Sequence, residues 1–337
     1  MAISPITYAE LKRRAASGDL SPEELAAYFL PDPAHHTAFV PAVRLNRDLV
    51  DLDGVEPRRR FLLKLLLRAE EAWSTRHPLV QQSGPDATKK SKSFKKASAR
   101  VRVLAEGDSW FRLPDSVFLG YPKDAVDILR LTHDVNTVAF YGDEIAEMVS
   151  DANKKNYLVP LNAGLRKHFI FSGGGNDVLG SIATYVKKMG STGTDPASPA
   201  SYVHPDFDKK LDETLGHYKT LYGHVRGSSS PDIPLYLHGY AYAIPRQNGP
   251  YIGGVLKKLG FEPGSQLAKA IVREMVNRFN VRLKAFADAR ATVRYVDLRL
   301  ELGASDWHTD EIHPNDSGAR KVARRLREAI AGTIPTV

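Results

Sequence analysis

The pattern of hydrophobic and polar positions changes near residue 100. Upstream, apolar residues recur at helical spacing. Ser21-Pro22-Glu23-Glu24 sets a capping serine, a proline at the first helical position and a glutamate at the third ahead of the apolar run Leu25 to Leu30, which predicts a helix start. Leucines at 62, 63, 65, 66 and 67, flanked by charges, predict an amphipathic helix from Arg60 to Trp73. Residues 1–88 read as a helical appendage with few strand signals. Downstream, short β-rich runs take over: Val101–Glu106, Val135–Tyr141, His168–Phe171, Pro234–His238 and Thr292–Asp297. Helical patterns lie between and after them, over Asp143–Lys155, Phe207–Tyr222, Ser265–Arg290 and Asn315–Ile330. Alternating strand and helix predicts an α/β domain over 101–337, a parallel sheet of five strands with helices on both faces. In such sheets functional groups gather outside the carboxyl ends of the strands.

Composition narrows the class. With 42% hydrophobic and 26% charged residues in 337, the chain is neither collagen-like, disordered nor membrane-embedded. Its start, Met1-Ala2-Ile3-Ser4-Pro5, lacks the basic residues and apolar run of a secretory signal, and no later run reaches the roughly 18 apolar residues of a span, so a soluble, cytoplasmic protein is expected. The absence of cysteine removes disulfides, thiolate metal sites and a cysteine nucleophile. The net charge of +8 is local. Five lysines and two arginines fall between Lys89 and Arg102 with no acidic residue, just after Gln82-Ser83-Gly84-Pro85. Residues 89–100 therefore read as a basic linker, and Lys89–Lys96 either stays solvated or touches anionic surfaces such as nucleic acid or lipid headgroups.

Three strand ends carry residues with chemical potential. The first strand runs into Gly107-Asp108-Ser109-Trp110, the third into Gly173-Gly174-Gly175-Asn176-Asp177, and the fifth is followed by Asp310-Glu311-Ile312-His313-Pro314-Asn315. A serine hydroxyl is a weak nucleophile that needs a neutral imidazole to take its proton, and the imidazole needs a carboxylate to fix its tautomer. Ser109, His313 and Asp310 meet that requirement. An ester carbonyl under attack becomes an oxyanion and needs preorganised donors. Asn176 offers a side-chain amide, and backbone N–H groups of Ser109 and Gly142 can complete the hole, Gly142 because a residue without Cβ permits close approach. Asp108 and Asp177 are expected to hold their loops by side-chain to backbone hydrogen bonds. His168, His204, His238 and His308 are read as core or surface groups.

In this order, Gly107-Asp108-Ser109, Gly142, Gly175-Asn176-Asp177 and Asp310-Glu311-Ile312-His313-Pro314 resemble the SGNH hydrolases, the GDSL esterase/lipase family, over about residues 101–332. The resemblance implies a three-layer, flavodoxin-like α/β/α fold and ester or thioester hydrolysis with no metal or other cofactor. It also implies Ser109 as nucleophile, Gly142 and Asn176 as oxyanion donors, His313 as base and Asp310 as its partner. Trp110 stands where the family commonly has leucine, and residues 1 to about 95 lie outside the resemblance.

The rings Trp110, Tyr240, Tyr242 and Trp307 would either wall a substrate cleft or pack a long loop. Residues 190–202 form an insertion that would be a lid or a solvated loop. Within ester hydrolysis, a small acyl or acetyl ester, including an acetylated carbohydrate, competes with a lysophospholipid or thioester as substrate, and the sequence does not decide between them. Two other classes remain open at this stage. A metal-dependent phosphoesterase would draw on Asp108, Asn176, His238, His308 and His313, although the chain has no Asp-x-His near the first strand and no Gly-Asn-His-Asp. A non-enzymatic binding protein would use the basic segment.

Overall fold

The computed structural model describes residues 3–32, 42–76, 100–114, 121–191 and 198–333. The basic segment Lys89–Lys96 and residues 192–197 of the insertion lie outside the described residues. The chain divides into two compact units, one of residues 1–99 with 114–121 and the other of 100–113 with 122–337.

In the first unit, the Pro22–Tyr28 helix begins as its sequence requires. Ser21 Oγ accepts from the Glu24 N–H at 3.2 Å and Glu24 Oε2 accepts from the Ser21 N–H at 2.9 Å. A further helix, Tyr8–Ser17, is capped by Thr7. The third, Arg59–Arg76, buries all five leucines between 62 and 67 and packs on the Tyr8–Ser17 helix. The unit is not purely helical. Strands β1 (Ile6–Thr7) and β4 (Val50–Asp51) pair in parallel, and β2 (Phe29–Pro31) pairs antiparallel with β3 (Val43–Leu45). The apolar run Leu25 to Leu30 thus splits between helix and strand. Leu30 precedes Pro31, and a residue before proline is pushed out of the helical region.

The second unit is an α/β fold. Its strands are β5 (Arg102–Gly107), β6 (Asp134–Thr137), β7 (His168–Ser172), β8 (Leu235–His238) and β9 (Val293–Val296), all parallel, in the order β6-β5-β7-β8-β9. All four residues of β8 are buried, as a parallel strand covered on both faces should be. Helices Asp206–Arg226 and Gln266–Asp288 pack together, and helix Asp316–Ile330 packs on Ala125–Arg130. The build direction reverses between β6-β5 and β7-β8-β9, which creates the crevice where α/β sheets place their sites. Among the described residues no helix is long and apolar enough to cross a membrane.

Candidate active site

Ser109 lies two residues beyond the end of β5, beside the point between β5 and β7 where the strand order reverses. Asp108 shapes that turn. Its Oδ1 accepts from the Trp110 N–H at 3.1 Å and from the Ser172 hydroxyl at 2.7 Å, while its Oδ2 accepts from the Tyr240 hydroxyl. These three bonds tie the ends of β5, β7 and β8 together, the loop-holding part expected of it.

On the other side, Asp310 and His313 occupy the turn before helix Asp316–Ile330, whose start is fixed by Asn315 Oδ1 accepting from the Ser317 and Gly318 N–H groups. The structure brings the serine, histidine and aspartate together across 204 residues of chain. His313 Nε2 is 2.7 Å from Ser109 Oγ and His313 Nδ1 is 2.7 Å from Asp310 Oδ2. Ser109 is 3% exposed and His313 wholly buried. Burial alone would raise the Asp310 carboxyl, but the adjoining His313 and the hydrogen bond from His308 outweigh it and hold the group well below the usual carboxylate range. Low dielectric strengthens such charge-assisted bonds.

The expected oxyanion donors sit on neighbouring strand ends. Gly142 follows β6 with φ of 77°, a left-handed conformation that glycine adopts without strain. Asn176 is the second residue of the short helix Gly175–Leu179 after β7, and its side-chain amide donates to the Asp143 carbonyl at 3.0 Å. Asp177, beside it, is buried and accepts from the Ile145 N–H at 3.2 Å, so it too holds a loop. Its carboxyl is pushed up by burial, with the Ile145 N–H and Lys210 pulling the other way.

The aromatic candidates divide. Trp110, Tyr240 and Trp307 are buried and pack on one another, with Trp110 ring centroids 5.1 Å from Tyr240 and 6.1 Å from Trp307. All three rings lie in the interior. Tyr242 is half-buried, with its hydroxyl donating to Asn277 at 2.6 Å and the Arg273 guanidinium 4.6 Å from its ring. His238 is fully buried and stacks on Trp110 at 5.6 Å. Among the described residues no group of three or more His, Asp or Glu side chains is placed to hold a metal ion.

Two contributors escaped the sequence reading. His308, which its sequence context marks as a core or surface group, approaches Asp310 Oδ2 with Nδ1 at 3.0 Å, on the same oxygen that His313 uses. The signal was its position two residues before Asp310, which carries no periodicity to read. Glu311 is wholly buried and accepts from four backbone N–H groups of residues 246–253.

A family model for GDSL-like lipase/acylhydrolase matches residues 125–326. Gly142, Asn176, Asp310 and His313 fall inside that range, and Ser109 precedes it. Among solved structures the chain is similar to a lipase from a goat rumen metagenome, at 17% identity over 68% of this chain and 97% of that one, TM-score 0.45. It is also similar to a carbohydrate esterase family 3 protein from Talaromyces cellulolyticus, at 11% identity over 69% and 97%, TM-score 0.40. A GDSL-like lipase from Bacteroides thetaiotaomicron aligns at 14% identity over 69% and 89%, TM-score 0.37. No curated protein matches the chain significantly.

Proposed function

The chain belongs to the GDSL-like lipase/acylhydrolase family, and on that premise we propose that it hydrolyses carboxylic esters through a Ser109–His313–Asp310 triad and an acyl-enzyme intermediate. The observation that carries this reading is the continuous pair of 2.7 Å bonds from Ser109 Oγ through both ring nitrogens of His313 to Asp310. With Asp310 ionised, Nδ1 carries the proton and donates to it, and Nε2 is left as the acceptor facing the serine. Ser109 Oγ attacks the ester carbonyl carbon as its proton passes to Nε2. The resulting oxyanion is met by the Ser109 and Gly142 N–H groups and the Asn176 amide. Collapse breaks the carbon–oxygen bond to the alcohol, which leaves with the proton from Nε2. Water then gives a proton to His313 and attacks the acyl-serine, and the second collapse releases the acid and restores the Ser109 hydroxyl.

The test is Ser109→Ala, expected to lower kcat on a small soluble ester by about 10⁴-fold or more with the fold intact by circular dichroism. In parallel, a fluorophosphonate probe should label the wild-type protein on Ser109 alone. Labelling at another residue, or near-normal turnover in the variant, rejects the assignment.

A further inference from the structure

Glu311 stands between the proposed base and its aspartate in sequence, yet its side chain has no part in the proton path. Its backbone has φ of 75°, a left-handed conformation that a residue with a Cβ adopts at a cost. Its carboxylate is wholly buried, which is unfavourable unless hydrogen bonds replace the lost water. Both costs are met by one contact set. Oε1 accepts from the Arg246 N–H at 2.5 Å and the Gly253 N–H at 3.0 Å, and Oε2 accepts from the Tyr251 N–H at 3.2 Å and the Ile252 N–H at 3.0 Å.

The receiving segment is shaped for this carboxylate. A Cβ on Gly249 would lie 1.8 Å from Glu311 Cδ, and one on Gly253 would lie 1.9 Å from the Arg246 carbonyl oxygen and 2.7 Å from Glu311 Oε1. Helix Ile252–Lys258 has no side-chain cap of its own, so its first N–H groups find their acceptor some 60 residues away in sequence. The turn that carries Glu311 is also held by His308 N–H to the His313 carbonyl at 2.8 Å, Glu311 N–H to the His308 carbonyl at 3.2 Å, Trp110 Nε1–H to the Ile312 carbonyl at 3.1 Å, and the Ile312 and His313 N–H groups to Asp310 Oδ1 at 3.3 and 3.1 Å.

We propose that Glu311 is a positioning residue, whose carboxylate clamps the Arg246–Gly253 segment and thereby holds the Asp310–His313 turn so that the imidazole stays on Ser109. The clamp rests on the hydrolase reading above and adds to it a residue that touches neither substrate nor proton path. The Glu311 carboxylate ties this turn to four backbone N–H groups of the 246–253 segment, so removal of that charge should let His313 drift, and displacement of about 1 Å costs on the order of 100-fold in rate.

The experiment is the time course of fluorophosphonate labelling in the full chain, for wild type, Glu311→Gln, Gly249→Ala, the double variant that combines these two, and Ser109→Ala. Its amplitude counts folded, competent sites and its rate constant reports the alignment of His313 and Ser109, so a merely structural role lowers the amplitude alone. Gly249 is not in a left-handed conformation, so alanine there changes only the space and displaces the carboxylate without altering Glu311. Expected are rate constants about 10- to 100-fold below wild type in both single variants. The double variant should be no slower than the slower single, because both act through one contact. The downfield proton resonance of His313 Nδ1–H should shift or broaden in Glu311→Gln. Rate constants within twofold of wild type in both single variants, with Ser109→Ala unlabelled, overturn the clamp alone. Labelling of Ser109→Ala at the wild-type rate overturns the hydrolase reading and the clamp with it.

Discussion

Asn176 donates its side-chain amide to the Asp143 carbonyl at 3.0 Å, which joins the turn after β6 to the turn after β7. A primary amide carries two N–H donors, so a bond to Asp143 orients the group and leaves the second donor for a ligand. A preoriented donor needs no reorganisation when charge develops on the substrate oxygen. Asn176→Ala is therefore expected to lower kcat by about 100- to 1000-fold. Steady-state kinetics on a small ester, with circular dichroism as the fold control, checks this; unchanged turnover removes Asn176 from the oxyanion site.

A second expectation follows from the Asp310 carboxyl, which is held below its ordinary value although burial acts in the opposite sense. A carboxyl whose folded pKa is depressed stabilises the native state above its unfolded value of about 3.9, and that contribution is lost as pH falls through the folded value. Asp310→Asn removes it at neutral pH. The gap in Tm between wild type and Asp310→Asn should thus be widest near pH 7 and narrow below about pH 4. Calorimetric scans across that range decide it; a gap that stays constant with pH assigns the effect to packing instead of charge.

The five strands of the second unit were legible because each is a short run of β-branched and aromatic residues ended by a turn. Their limits were less so. The second was expected to extend to Tyr141 but pairs as a strand only to Thr137, although the Val138 and Phe140 N–H groups still bond to the Ala105 and Gly107 carbonyls. β6 is an edge strand with a neighbour on one side, and nothing in its composition marks where the ladder stops. The helix expected over Asp143–Lys155 is reduced to Ile145–Met148. Ser150 Oγ and Asn153 Nδ2 both donate to the Glu147 carbonyl, at 2.8 and 3.0 Å, and so compete with continued helix. Ser109, Asp310 and His313 could be singled out from local turn signals. The Glu311 clamp could not, because its partners lie about 60 residues away and its φ is invisible in sequence.

Asp124 supports a prediction of opposite sign. It caps helix Ala125–Arg130, with Oδ1 accepting from the Asp127 N–H at 2.9 Å and Oδ2 from the Leu113 N–H at 3.0 Å. Burial, reinforced by the nearby Asp127 charge, pushes its carboxyl up to about 8. A group raised above its unfolded value contributes stability that is complete below about pH 3.9 and disappears as pH rises through the folded value. Asparagine keeps the capping oxygen without the ionisation. Asp124→Asn should therefore flatten the decline of Tm between about pH 4 and pH 8. Parallel slopes for the two proteins would show that Asp124 does not take up a proton on folding.

Trp110 carries the last prediction, because it connects the serine turn to the histidine turn. Its ring is buried against Tyr240, Trp307 and His238, and Nε1–H donates to the Ile312 carbonyl at 3.1 Å. Trp110→Phe keeps an aromatic ring and most of the apolar contact but deletes the donor. The Ile312 carbonyl then loses this donor in a buried setting, which costs about 1–3 kcal/mol. Urea unfolding should show a loss of that size with an unchanged m-value, since the surface exposed on unfolding is nearly the same. Because Ile312 directly precedes His313, a looser carbonyl should also lower kcat while the Ser109 turn, held by Asp108, stays in place. A variant of wild-type stability and rate would mean that the 3.1 Å contact contributes nothing, and that the histidine turn is fixed by Asp310, Glu311 and the 308–313 backbone bonds without help from the serine side.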